Sequence, residues 1–141
     1  MFDQAKVQQR VVDSTEVKDQ LQKSFMHVSD SLYRDSRINL RFSGSTCVSV
    51  LIVGTKVFCA NVGDSRAVLV RAIQPAMDQV IAIPLNRDHK ADEPDEEERI
   101  TKSGGRVQPY RDQMGNQLGP LRVWHMKEDI PGLAMTRSFG D

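Results

Sequence analysis

Apolar residues crowd into three runs in the middle of the chain, over 46–53, 56–62 and 67–70. Val, Ile, Leu, Phe and Cys occupy both alternating faces of these runs, which predicts strands covered on each side rather than a half-wet sheet. Gly54-Thr55 separates the first two by a two-residue turn, and a leading Gly suits a type II′ hairpin because it accepts a positive φ. Gly63-Asp64-Ser65-Arg66 makes a second tight turn. The pattern predicts an antiparallel meander within 44–85, with 46–53 on 56–62, 56–62 on 67–71, and Asp64 at the far corner. A loop over 74–78 and a fourth strand over 80–85 follow.

Helical spacing dominates the region 1–35. A short helix is expected over 4–13, and Ser14-Thr15-Glu16 offers capping residues before a longer one. In that helix Val17, Leu21, Phe25, Val28 and Leu32 fall at i, i+4, i+8, i+11 and i+15, a single apolar stripe for packing on the sheet. His27 beside it reads as a surface or satisfied histidine. A polar connector over 34–43 leads into the first strand.

Beyond the fourth strand, Glu93-Pro94-Asp95-Glu96-Glu97-Glu98 has the composition of a helix start, since Pro suits the first turn and carboxylates suit the positive end of the dipole. The helix is expected to run to about residue 103 and to stop at Gly104-Gly105. The acidic cluster over 92–98 is accounted for as a solvated helix start, a cation site being the alternative. Residues 106–120 hold Pro109, Gly115, Asn116, Gly119 and Pro120 without a sustained period, which predicts a loop or a loosely paired hairpin. Short strands are expected over 121–126, carrying Trp124, and over 133–136.

Composition narrows the function classes. With 141 residues the chain suits one domain, and a domain of that size buries roughly 70% of the surface its unfolded form exposes. Lys plus Arg and Asp plus Glu each number 19, so no basic stripe argues for nucleic acid. No apolar run approaches the roughly 20 residues of a membrane span, and the polar start lacks a signal-peptide core. The expectation is a soluble intracellular protein, cytoplasmic or nuclear, with no membrane partner. Cys47 and Cys59 sit inside apolar runs without metal or redox spacing and read as reduced core thiols.

Several blocks in order carry a resemblance: Ser43-Gly44-Ser45-Thr46, Ala60-Asn61-Val62-Gly63-Asp64-Ser65-Arg66-Ala67-Val68-Leu69, Asp88-His89-Lys90, Glu98-Arg99-Ile100, Gly104-Gly105-Arg106-Val107, and the final run 131–141. Together they resemble the type 2C protein serine/threonine phosphatases, over about residues 16–141. The resemblance implies an α+β fold, part of an α/β/β/α sandwich with antiparallel sheets. It also implies an enzyme: metal-dependent hydrolysis of phosphoserine and phosphothreonine in protein substrates, with Mg²⁺ or Mn²⁺ as cofactor. Asp64 matches a ligand of an additional, more weakly held metal beside the catalytic pair. Arg66 is expected to pair with a carboxylate inside the fold. Residues 88–123 match the flap beside the active site, and 124–141 the returning strand. His89, Arg137 and Asp141 match positions expected to be structural.

The departures limit what is carried over. The family's D-G-H-G block, with a bridging aspartate and a catalytic histidine, does not occur, nor do the later D-G-x-x-D and D-N blocks. The chain therefore resembles the middle of such a domain, an incomplete fold. No catalytic residue is assigned, Asp64 is the one metal ligand, and the isolated chain is expected to be inactive. The alternative is a non-catalytic phosphatase-like binding or regulatory module. Uncovered sheet surface would favour self-association.

Overall fold

The computed structural model describes residues 13–41, 43–73 and 79–140. The helix expected over 4–13 lies outside the described residues except for Asp13, as do the loop over 74–78 and Asp141. Helix α1 spans Ser14–Arg34. Its N-cap is Asp13, whose carboxylate accepts from the Thr15 N–H at 2.8 Å, one residue before the expected capping group. Val17, Leu21, Phe25 and Leu32 are half-buried, but Val28 is exposed. Ser29, not Val28, takes the half-buried place in that turn. None of the described helices is long and apolar enough to cross a membrane.

Strands β1 (Gly44–Ser45), β2 (Cys47–Val53) and β3 (Lys56–Val62) follow. β2 and β3 form the expected hairpin, in register from Cys47 opposite Val62 to Val53 opposite Lys56, with Gly54 at φ 61° in the turn. α1 lies against β3, its Leu21 and Phe25 sharing a cavity wall with Phe58 and Cys59. Phe25 also meets Phe139 at 5.5 Å between ring centroids. Phe139 belongs to β9 (Phe139–Gly140), which pairs with β1 and so brings the last described residues against the strand that leads into the first hairpin.

The three-stranded meander does not form. Strand β4 (Val68–Ala72) pairs antiparallel with β5 (Val80–Pro84), not with β3. The reason lies in the turn. Asn86 accepts from the Ala67 N–H at 2.8 Å and donates to the Ser65 carbonyl at 3.0 Å. Main-chain groups that would have opened a ladder to β3 are spent on that side chain, and the Leu85 N–H then binds the Ala67 carbonyl to start the next hairpin. Cover on both faces is also not found among the described residues. Phe58 is buried, whereas Val50, Ile52 and Val57 on the other face of the first hairpin, and Val68, Val70 and Val80 on the second, are exposed.

Helix α2 spans Pro94–Lys102, with Pro94 at its start and Gly104 at φ 82° beyond its end. Residues 106–120, expected as a loop or a loose hairpin, belong to a well-paired one. β6 (Gly105–Arg111) pairs with β7 (Gln117–His125), and β8 (Pro131–Leu133) adds to the other edge of β7. Cross-strand contacts missing from any local pattern hold it. Trp124 donates from Nε1 to the Gln108 carbonyl at 2.9 Å and stacks with Tyr110 at 6.4 Å. Pro109, which has no N–H to give, sits at the register shift where the ladder is already broken.

Candidate functional site: the Asp64 corner

Asp64 stands just past Gly63 at the end of β3, at the point where the chain leaves one hairpin for the next. Gly63 before it is buried at φ 101°, and a Cβ there would stand 2.3 Å from Thr46 Cγ2. Only glycine fits, for conformation and for space. Thr46 Oγ1 and Ser65 Oγ, 2.7 Å apart, tie the start of β2 to the far side of the turn. His89 holds Gly63 twice: its N–H donates to the Gly63 carbonyl at 3.0 Å, and its Nδ1 accepts from the Gly63 N–H at 3.1 Å. Asn61 Nδ2 adds a bond to the same carbonyl at 3.0 Å. Burial, with the nearby Arg137 charge, pushes the His89 imidazole down from its ordinary value, in keeping with Nδ1 as an acceptor.

Arg66 makes the expected inward pair. Its Nε and Nη2 donate to the two Asp88 carboxylate oxygens at 2.9 and 2.7 Å, and Lys90 Nζ lies 3.1 Å from the same carboxylate. The Arg66 bond above all, aided by Lys90 and opposed by burial, lowers the Asp88 pKa to about 2. Asp64 itself is half-buried and lines a cavity of about 450 Å³ with Lys90, Ala91, Asp92, Pro120, Leu121 and Ala134. Pro120 and Leu121 come from β7, so the flap-like segment forms one wall.

A second cluster stands behind the corner and was not legible in advance. Glu96, counted above among solvated acids, is buried to 1% exposure. Its carboxylate accepts from Arg137 Nε and Nη2, from Thr136 Oγ1 at 2.6 Å and from Arg99 Nη2 at 2.9 Å. Thr136 in turn donates its N–H to the His89 carbonyl at 2.9 Å. The one clue in the sequence is spacing: Glu96 lies one turn before Ile100, the apolar anchor of α2, and so shares its inward face.

Does this donor set fit a divalent cation? Mg²⁺ is commonly held by one or two carboxylates while keeping several waters. Asp64 and Asp92 line one cavity, and each carries carboxylate oxygens of the hard type that such an ion takes. They do not fit a metal pair, because the described residues gather no group of three or more His, Cys, Asp or Glu side chains.

Residues 2–141 match the family described as protein phosphatase 2C. The chain belongs to the protein phosphatase 2C family. It is 40% identical to "Probable protein phosphatase 2C 12" of Oryza sativa subsp. japonica, over 84% of this chain and 29% of that protein. It is 46% identical to "Probable protein phosphatase 2C 64" of the same organism over 70% of this chain and 22% of the relative. Against "Probable protein phosphatase 2C 73" of Arabidopsis thaliana the figures are 39%, 81% and 29%. The chain thus spans less than a third of the length of these curated relatives. Within this member of the protein phosphatase 2C family, the sequence blocks noted at the outset meet in space. Gly63-Asp64-Ser65-Arg66, Asp88-His89-Lys90 and Thr136-Arg137 are joined by the bonds just described.

Proposed function

We propose that this chain is a segment of a metal-dependent protein serine/threonine phosphatase acting on phosphoserine and phosphothreonine in proteins. Asp64 is the residue of this segment that offers a hard oxygen to Mg²⁺ or Mn²⁺. The observation that carries the proposal is the opening of the Asp64 corner onto a cavity walled by the flap residues Pro120 and Leu121. In this role Arg66 and Asp88 hold the turn, Asp64 and Asp92 present carboxylate to an ion at the rim, and the β6–β7 hairpin shapes the approach of a phosphoprotein. The chemistry of paired ions is assigned to no residue described here. The free thiols Cys47 and Cys59 suit a reducing compartment, cytoplasm or nucleus.

The test compares the full-length protein with the 141-residue chain, using p-nitrophenyl phosphate and a phosphothreonine peptide over a Mn²⁺ titration. Turnover is expected from the full-length protein, with a higher Mn²⁺ requirement in Asp64→Ala, and none from the chain alone. Turnover by the chain above buffer, abolished by Asp64→Ala, would refute the division of labour.

A second reading, a non-catalytic phosphatase-like binding or regulatory module, draws on the lack of a three-donor cluster among the described residues. It predicts phosphopeptide binding by the full-length protein without turnover. In either case the exposed faces around Ile52 and Val70 favour self-association of the isolated chain, read out by light scattering as a mass that rises with concentration.

A further inference from the structure

We infer that His89 is a positioning residue for Asp64, holding the carboxylate in place for its ion through the Nδ1 bond to Gly63. The inference rests on the proposal above that Asp64 holds a divalent cation. His89 is not among the residues lining the cavity, so it acts through the main chain.

Asp64 hangs from a glycine at φ 101°, the residue type with the widest backbone freedom. Two peptide planes meet at Gly63, one ending in its N–H and one beginning with its carbonyl and running on to the Asp64 nitrogen. His89 binds both, the first by its side chain at 3.1 Å and the second by its main chain at 3.0 Å. Any residue but proline would supply the second bond. The first needs an acceptor at the position of Nδ1, and it is the specific contribution of histidine here.

The imidazole is itself held from a firm base. The His89 carbonyl accepts from the Thr136 N–H at 2.9 Å, and Lys90 forms an antiparallel bridge with Met135. Thr136 is anchored to the buried Glu96 by its Oγ1 at 2.6 Å. A rigid support therefore runs from α2 through Thr136 and His89 to Gly63, and Asp64 is the next residue. Groups that orient a metal ligand from behind are worth about 10–100-fold in metal affinity when removed.

The experiment measures Mn²⁺ binding to the full-length protein by the electron paramagnetic resonance signal of the free ion, with thermal unfolding recorded in parallel. Asp64→Ala is expected to remove the weakest class of sites. His89→Ala is expected to weaken that class about tenfold and leave the tighter sites unchanged. His89→Asn, whose Oδ1 falls near the Nδ1 position, is expected to restore most of the affinity, whereas His89→Gln, with its acceptor one bond further out, is not. Wild-type Mn²⁺ affinity in folded His89→Ala, with only the melting temperature lowered, would overturn the positioning role and leave the Asp64 assignment standing. An unchanged Asp64→Ala would instead overturn the assignment. If His89→Ala does not fold, the Asn and Gln variants decide: equal affinities overturn the inference.

Discussion

Arg137 clasps the carboxylate of Glu96 with Nε at 2.9 Å and Nη2 at 2.5 Å, across 41 residues of chain. The pair joins α2 to the segment that returns to β9. Burial alone would raise the Glu96 pKa, but the bonds from Arg137, Arg99 and Thr136 outweigh it and hold the group well below its ordinary 4.5. Glu96→Gln removes the charge and leaves Arg137 and Arg99 facing a neutral amide. The expected loss is about 3 kcal/mol, the low end of the range for breaking a buried pair, since both arginines remain partly in water. Urea unfolding at neutral pH measures it. Because the folded pKa is depressed, the stabilisation is fully present above 4.5 and is lost as pH falls below that value; in Glu96→Gln this acid limb should flatten.

Asp88 gives a separate acid window. Its pKa falls from the ordinary 3.8 to about 2, so its contribution is present above 3.8 and disappears as pH drops through about 2. Carboxyl NMR titration should show the low midpoint in the parent and its return toward 3.8 in Arg66→Ala. A midpoint unmoved by that substitution would mean that Lys90 or another donor, not Arg66, sets it.

Gly63→Ala and Gly54→Ala separate strain from crowding. Both glycines have positive φ, 101° and 61°, but a Cβ at 54 meets open space whereas one at 63 runs into Thr46. Gly54→Ala is expected to cost about 1 kcal/mol and Gly63→Ala at least about 3 kcal/mol. Equilibrium unfolding of the two variants under one condition checks the order.

Trp124 is the only tryptophan in the chain and is 8% exposed, so its fluorescence reports the flap-like hairpin alone. Trp124→Ala is expected to cost about 3–5 kcal/mol by cavity formation. Trp124→Phe keeps an aromatic ring but leaves the Gln108 carbonyl without its donor, at about 1–3 kcal/mol. In the parent, emission should be blue-shifted and move to the red in one step with unfolding.

Local chemistry was legible wherever neighbours in sequence are neighbours in space. The 3.6-residue stripe from Val17 to Leu32 marks α1, Gly54-Thr55 marks the first hairpin with its register, and Pro94 with Gly104 bounds α2. The order of motif blocks identified the family and anticipated the pairing of Arg66 with a buried carboxylate. Non-local competition was not legible. Whether 67–71 would pair with β3 or with β5 depended on Asn86, nineteen residues from Ala67, capturing the main chain of the turn. The fate of 106–120 depended on Trp124 reaching back to Gln108.

What the sequence determined by itself is therefore α1, the first hairpin, α2, the family and the tight turn at Gly63-Asp64, since period, turn chemistry and motif order are properties of short stretches. Tertiary structure alone decided that Glu96 is a buried hub rather than a solvated acid, and that His89 faces the peptide before Asp64. A carboxylate or imidazole has no intrinsic preference strong enough to announce such a place. It is set by partners 26 and 41 residues away, and their positions exist only once the chain has folded.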